Sequence, residues 1–268
     1  MTTALITGST SGIGAAFARR LASDGYDVVL VARNEERLRE QAAELHDRHR
    51  VEAEVLRADL AQDGGITSVE KRLSDSKRPV ELLVNNAGFA NRGTYLDVPL
   101  SDELRMLKVH CEAVLRLSTA AIVPMRERGR GGVINVASTG AYLPRGTYGA
   151  SKAWIVQFTQ GMPQDLATSG VRTMAVCPGY VRTEFHERAG MVMAEVPEWM
   201  WLEPDRLVRI ALKDFARGKT LSVPDLRYKT MLGLFKLAPR GAMPRISPNH
   251  GRYYGDKRAG EAKVGDKA

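Results

Sequence analysis

Residues 3–14 read Thr3-Ala4-Leu5-Ile6-Thr7-Gly8-Ser9-Thr10-Ser11-Gly12-Ile13-Gly14, and this stretch decides the fold. Its first five residues are a short apolar run of the kind that forms a buried strand. Glycines at 8, 12 and 14 follow, then an amphipathic run with Ile13, Phe17, Leu21 and several alanines that ends near Gly25. Strand, glycine turn and helix in this order make a phosphate cradle. Gly8 permits the tight turn, Gly12 lets backbone approach a pyrophosphate, and Gly14 lets the helix pack against the strand. The helix N-terminus adds backbone N–H donors and a positive dipole. The spacing is G-x3-G-x-G, and a glycine-rich connection without a ligand is the competing reading.

Working outward, Asp27 to Ala32 is a second buried strand, followed at once by Arg33 and a charged helix over about Asn34 to His49. An acidic residue at the end of this strand would grip the ribose hydroxyls of an adenosine and repel a 2′-phosphate. Ala32 and Arg33 stand there instead. A guanidinium suits a 2′-phosphate, which favours NADP(H) over NAD(H); a solvated arginine opening a helix is the plain alternative. Val51 to Ala58 alternates as a third strand, and a helix spans about Asp63 to Ser76. Glu81 to Val84 is a fourth strand, closed by Asn85-Asn86-Ala87-Gly88. Ser101 is placed to cap a long helix reaching about Arg128, with Asp102 and Glu103 in its first turn. Gly132 to Ala137 is strand five and leads into Ser138; Val171 to Cys177 is strand six and leads into Pro178-Gly179. Strands alternating with helices throughout define an α/β protein with a single doubly wound parallel sheet.

Between strands five and six lies Tyr148-Gly149-Ala150-Ser151-Lys152. A phenol and an ammonium at this spacing share one face of a helix. A Lys charge roughly 4 Å from the phenol, at an effective dielectric near 20, favours the phenolate by about 4 kcal/mol. That brings a phenol of ordinary pKa about 10 toward 7, where it can give or take a proton. Taken alone the pair is also compatible with chance. The helix it opens runs to about Ser169 and contains Pro163, where a kink is expected, with Gln164 to Ala167 still helical.

The chain has 268 residues, 44% of them hydrophobic, enough for a large core. Cys111 and Cys177 are far apart, without metal or disulfide spacing, and fit reduced thiols. With no leader pattern and no long apolar run, a cytoplasmic location is expected. The net charge of +8 is uneven: from Lys219 onward there are 11 Lys/Arg against 4 Asp/Glu. The near-neutral body argues against nucleic-acid binding. From Arg182 to Leu202 the pattern is lost, and Met191, Met193, Trp199, Met200 and Trp201 crowd around Pro197. An irregular stretch this apolar packs over something: a substrate as a lid, its own core, or a partner subunit. An amphipathic helix over Pro204 to Arg217, a last strand over Thr220 to Val223 and a basic amphipathic stretch over Tyr228 to Leu237 follow. The domain is expected to span residues 1–238, and residues 239–268 to form a basic Pro- and Gly-rich tail.

The joint occurrence of TGSTSGIG, Asp59, NNAG, a serine after strand five, YGASK and PGYVRT resembles the short-chain dehydrogenase/reductase family over about residues 3–224. It looks most like bacterial members labelled acyl or ketoacyl reductases. The resemblance implies a Rossmann sheet of about seven strands, a nicotinamide cofactor and no metal. It places Gly8, Ser11, Gly12, Ile13 and Gly14 at the pyrophosphate, Asp59 and Leu60 at the adenine, and Asn86, Ala87 and Gly88 beside the ribose. Pro178, Gly179, Val181 and Thr183 fall at the nicotinamide end. Tyr148 becomes the acid/base group, Lys152 its charged partner and ribose ligand, and Ser138 a donor to the substrate oxygen.

Two departures stand out. Ser138 precedes Tyr148 by ten residues, a shorter interval than the family usually has, which makes Thr139 the neighbour to consider. His110 stands where the family has an Asn that holds a water in a relay from the Lys. An imidazole can donate and accept, with protonation that changes near neutral pH; it can equally be a packing residue. The reading is an NADP(H)-dependent oxidoreductase interconverting a carbonyl and an alcohol on a fairly apolar small molecule, assembled as a homodimer or homotetramer. The alternative is a catalytically weak cofactor-binding scaffold whose basic tail docks to a membrane surface or an acidic partner.

Overall fold

The computed structural model describes residues 2–191, 193 and 196–237; the tail expected at 239–268 lies outside them. Seven strands, β1 (Thr3–Thr7), β2 (Asp27–Ala32), β3 (Ala53–Arg57), β4 (Leu82–Asn85), β5 (Gly131–Val136), β6 (Val171–Val176) and β7 (Leu221–Ser222), form one sheet. Their order is β3-β2-β1-β4-β5-β6-β7, and every pairing is parallel. The chain winds outward from β1 in one direction and from β4 in the other, so the switch point of the sheet lies between these two strands. Ligands of such sheets bind in the crevice at that point, beyond the strand C-termini.

Both faces of the sheet are covered. β1 sends Ala4 and Ile6 to one side, with Phe17 and Leu21 of α1 (Gly12–Ser23) and Leu207 and Val208 of α8 (Pro204–Ala216). Leu5 faces the other way, against Ile66 and Val69 of α3 (Asp63–Leu73) and Leu117 and Met125 of α5 (Val114–Glu127). Between α1 and α3, α2 (Glu35–His49) begins at Asn34, whose side chain accepts from Arg37 N. β3 does not alternate as its sequence suggests: its first four residues are all partly buried. An edge strand against a helix shields each face only in part.

Three helical expectations change. The long helix starts at Leu100, with Pro99 rather than Ser101 as its cap. The Pro99 carbonyl accepts from Asp102 N at 2.9 Å and from Glu103 N at 3.3 Å, so Ser101 already lies in the first turn. This helix is not uniform: α4 (Leu100–Leu107) passes through a π-helical stretch, Lys108–Ala113, before continuing as α5. Third, α6 (Gly146–Asp165) runs through Pro163 but stops two residues later. Pro163 leaves the Thr159 carbonyl without its helical donor, and Leu166 N closes the end on Met162 O at 3.1 Å.

Beyond β6 come a short helix, α7 (Phe185–Arg188), a 3₁₀ turn at Glu198–Met200, α8, and α9 (Leu226–Leu237). The stretch that reads as basic and amphipathic is helix α9. Its apolar residues are spread round the axis, with Tyr228 and Leu232 buried and Leu226 and Leu234 exposed. Among the described residues no helix is long and apolar enough to cross a membrane.

Candidate active site

The glycine turn closes the C-terminal end of β1. Gly8 and Gly12 have φ of +65° and +54°, the left-handed region open to glycine at no steric cost. A Cβ on Gly14 would sit 2.1 Å from Gly8 O, and one on Gly12 would meet Thr183 Cγ2 at 2.8 Å. Gly14 therefore lets α1 approach the turn, while Gly12 lets the loop after β6 come down over it. The switch point itself is laced by two polar residues. Thr7 Oγ1 accepts from Asn86 N at 2.9 Å and Ala87 N at 3.0 Å, and Asn86 Nδ2 donates to Thr7 O at 2.9 Å and Gly8 O at 3.1 Å. The Asn86 side chain thus holds the turn.

A cavity of about 1350 Å³ opens above this point and takes in every sequence-assigned site residue except Gly14 and His110. At one end stand Arg33, Asp59 and Leu60. Arg33 is exposed and has no ion pair or hydrogen bond among the described residues. Asp59 Oδ1 accepts from Ala61 N at 3.0 Å. Nearer the turn, Glu184 pairs with both Arg37, at 3.5 Å, and Arg188; Arg188 also donates to Ser11 Oγ at 3.4 Å.

At the other end Tyr148 lies in the first turn of α6, one turn before Lys152. Lys152 is 4% exposed. Its Nζ donates to Val136 O at 3.2 Å and lies 5.8 Å from the Tyr148 ring centroid. Burial pushes the Lys152 pKa down to about 8. Ser138 Oγ accepts from Gly140 N at 3.0 Å. A Cβ on Gly140 would lie 3.2 Å from Ser138 Oγ and 3.6 Å from Tyr148 Cε1, so hydroxyl and ring flank one point. The short interval between them is taken up by a 3₁₀ turn, Thr139–Tyr142. Thr139 also lines the cavity, with its N–H bonded to Pro178 O at 2.8 Å.

His110 departs from the expectation of a group that titrates near neutrality. It is fully buried in the π-helical stretch. Desolvation, and then the charge of Lys152, hold its pKa well below the usual 6.5, so the ring stays neutral. Phe89 N donates to Nε2 at 3.3 Å, which puts the ring proton on Nδ1, 2.9 Å from Ser151 Oγ. Ser151 in turn donates to Tyr148 O at 2.8 Å. Both nitrogens are engaged, and the residue ties the loop after β4 to the helix that carries Tyr148 and Lys152.

Several residues of the site region escape sequence reading. Asn85 Nδ2 bridges Asn135 Oδ1 at 2.9 Å and Ser118 Oγ at 3.1 Å, and Asn135 Nδ2 donates to Thr159 Oγ1 at 2.9 Å. This buried ladder ties β4 and β5 to α5 and α6. Asparagines inside strands, where they are disfavoured, were its one sequence signal. Buried Glu103 accepts from Asn91 Nδ2 at 3.0 Å and from Thr147 Oγ1, beside Tyr148. Arg145, His186 and Tyr228 also line the cavity, and nothing in their local sequence marks them.

A glycine-cradled crevice at the switch point of a parallel sheet, with Tyr, Lys and Ser at its far end, defines a dinucleotide-dependent oxidoreductase class. The model of the short chain dehydrogenases matches residues 2–191, and the chain belongs to that family. It is 40% identical over 186 residues to sulfoacetaldehyde reductase 2 of Chromohalobacter salexigens, covering 68% of this chain and 73% of that one. A Streptomyces coelicolor protein bearing the name ketoacyl reductase is 37% identical over 187 residues, 67% of this chain and 70% of the other. The fold is similar to that of a short-chain dehydrogenase from Sphingobium yanoikuyae in complex with NADPH, with TM-score 0.82, 35% identity and coverage of 92% and 97%. It is also similar to a bulky-bulky ketone specific alcohol dehydrogenase from Comamonas testosteroni, with TM-score 0.78, 30% identity and coverage of 94% and 98%.

Proposed function

We propose that the protein reduces a carbonyl group to an alcohol with NADPH, on a substrate with a largely apolar body. The observation that carries this reading is the convergence of Ser138, Tyr148 and Lys152 at one end of a cavity whose other end is a glycine cradle. The cradle fits a dinucleotide: Gly8 and Gly12 present backbone to the cavity, Gly14 lets α1 close on the turn so that its N-terminus faces the same space, and Arg33 offers a guanidinium to a 2′-phosphate. A bound reduced nicotinamide supplies the hydride. Tyr148 gives its phenolic proton to the carbonyl oxygen, and Ser138 donates a hydrogen bond to the same oxygen as negative charge develops there. The Lys152 ammonium, kept below about pH 8, favours the phenolate that remains and offers N–H donors to the cofactor ribose. Pro178, Gly179, Val181 and Thr183 hold the nicotinamide end, and His110 acts by position.

Segment 182–202 serves as the lid. Val181 and Leu202 bridge at its base, Arg182 N bonds Leu202 O at 3.0 Å, and Phe185, Met191 and Met200 face the cavity. These side chains exclude water from the reacting carbonyl. A homodimer or homotetramer in the cytoplasm, where the unpaired Cys111 and Cys177 stay reduced, completes the reading.

The test is NADPH oxidation over carbonyls graded by chain length and polarity. Tyr148→Phe should lower turnover by roughly 10²–10⁴-fold while NADPH still quenches tryptophan fluorescence. Failure of every carbonyl to be reduced by wild-type protein that binds NADPH would defeat the proposal.

A further inference from the structure

The cavity has a strong bias of charge. Seven basic side chains line it, and Asp59 is the one acidic residue among the described lining residues. Arg33, Arg37 and Arg188 lie toward the glycine cradle, and Lys152 pairs with Tyr148. Arg105 lies over the Phe89 ring at 5.1 Å and Arg92 lies against Gly190, so none of these six stands across from the Ser138–Tyr148 point. Arg145 flanks that point. It precedes Tyr148 by three residues, and its Cδ lies 3.8 Å from the same Gly140 Cβ position that Ser138 Oγ and Tyr148 Cε1 flank. Its Nη2 donates to Tyr180 Oη at 3.2 Å, with the guanidinium 6.0 Å from that ring's centroid. Tyr180 directly follows Pro178-Gly179, so the cation is held across the reacting end of the cavity.

A third group faces the same space. The His186 ring lies 5.8 Å from that of Tyr180, and its Nδ1 is buried with no hydrogen-bond partner among the described residues. Burial, and then the Arg145 charge, hold the His186 pKa down to about 4, so the ring is neutral at working pH. A neutral imidazole has one N–H to give, and His186 lines the cavity beside Tyr180. Guanidinium, phenol and imidazole around one space form a donor set for an oxyanion.

We propose that the carbonyl substrate carries an anionic oxo group, a carboxylate or a sulfonate, a few bonds from the carbonyl, and that Arg145, with Tyr180 and His186, holds it. This rests on the reductase reading above and adds to it a specific end of the substrate. The apolar body lies along the lid, and the anion lies at Arg145, where a planar guanidinium can meet two oxygens at once.

The experiment uses the full chain with saturating NADPH and a series of oxo acids and oxo sulfonates graded in aliphatic and aryl size. Each is paired with its neutral methyl ester or sulfonamide. The expected result is kcat/KM higher for the anionic member by about 10- to 100-fold, the scale of a hydrogen bond to a charged group. The ratio should fall toward one in Arg145→Met and be partly kept in Arg145→Lys. Because the ratio is read within each variant, a general loss of activity cancels. Carboxylate pairs and sulfonate pairs that differ in their ratio identify which anion fits. Equal kcat/KM for neutral and charged partners, or a ratio untouched by Arg145→Met, would overturn the inference while leaving the reductase reading intact. No turnover of any carbonyl would overturn both.

Discussion

The ring of Tyr228 fills the place where a side chain on Gly179 would begin: a Cβ on that glycine would lie 2.0 Å from Tyr228 Cζ. The Tyr228 hydroxyl accepts from Tyr180 N at 3.0 Å and donates to Met200 O at 2.7 Å. One residue of α9 therefore fastens both the loop after β6 and the end of segment 182–202. Burial pushes its phenol up to about 12, so it remains a donor across the working range.

Tyr228→Phe keeps the ring and removes both hydrogen bonds. It is expected to cost about 1–3 kcal/mol, because a partly buried N–H and a partly buried carbonyl lose their partner. Urea unfolding measures this, and KM for NADPH should rise with it. Unchanged midpoint and unchanged KM would show that the hydroxyl fastens nothing.

Arg33 lies at the end of the cavity proposed for the adenosine, without an ion pair among the described residues. Arg33→Ala should weaken NADPH binding by about 1–3 kcal/mol, the worth of hydrogen bonds to a charged group, and leave NADH binding nearly unchanged. Titration calorimetry with both nucleotides decides it. Equal losses would remove Arg33 from the 2′-phosphate.

His110 is buried and held neutral, so it adds no step to the activity profile between about pH 5.5 and 7.5. Its effect is on stability. With the folded-state pKa below the unfolded 6.5, the unfolded chain takes up the proton first, and stability falls as pH drops below 6.5 toward the folded value. His110→Asn should abolish that part of the acid destabilisation and leave the pH–rate profile in place. A rate step near neutrality present in wild type and lost in His110→Asn would put the imidazole back in proton transfer.

Lys152 gives the opposite end of the scale. Its pKa falls from 10.5 unfolded to about 8 folded, through burial. The nucleotide-free protein should therefore gain stability as pH rises from about 8 to 10.5, by about 3 kcal/mol in all, and gain none from this group below pH 8. Thermal unfolding of wild type and Lys152→Met across this window isolates the contribution. Parallel curves would show that the ammonium is not desolvated.

The parallel sheet was legible in the sequence because its inner strands are buried on both faces and read as largely apolar runs between turn residues. β1 and β2 match residue for residue, and Gly14 sits where a close helix–turn contact demands it. That information is local: side-chain volume, periodicity and the absence of a Cβ act within a few residues of where they are written. The π-helical stretch carries no such mark. Lys108–Ala113 contains neither Pro nor Gly, and its widened turn forms where His110 bridges Phe89 and Ser151 across the chain.

Protonation and partnership were likewise decided only by the tertiary structure. A histidine in a helix has an ordinary pKa until the fold removes its water and sets Lys152 beside it. Tyr228 lies far from the motifs in sequence, while Arg145 and His186 each lie three residues outside one; all three become part of the site because β6, α6 and α9 end at the same crevice. The sequence alone determined the cradle, the succession of strands and helices along the chain and the Tyr148–Lys152 pair, since each is written in adjacent residues. The fold determined what surrounds them, because desolvation and the meeting of distant side chains are properties of a packed interior and have no counterpart along the chain.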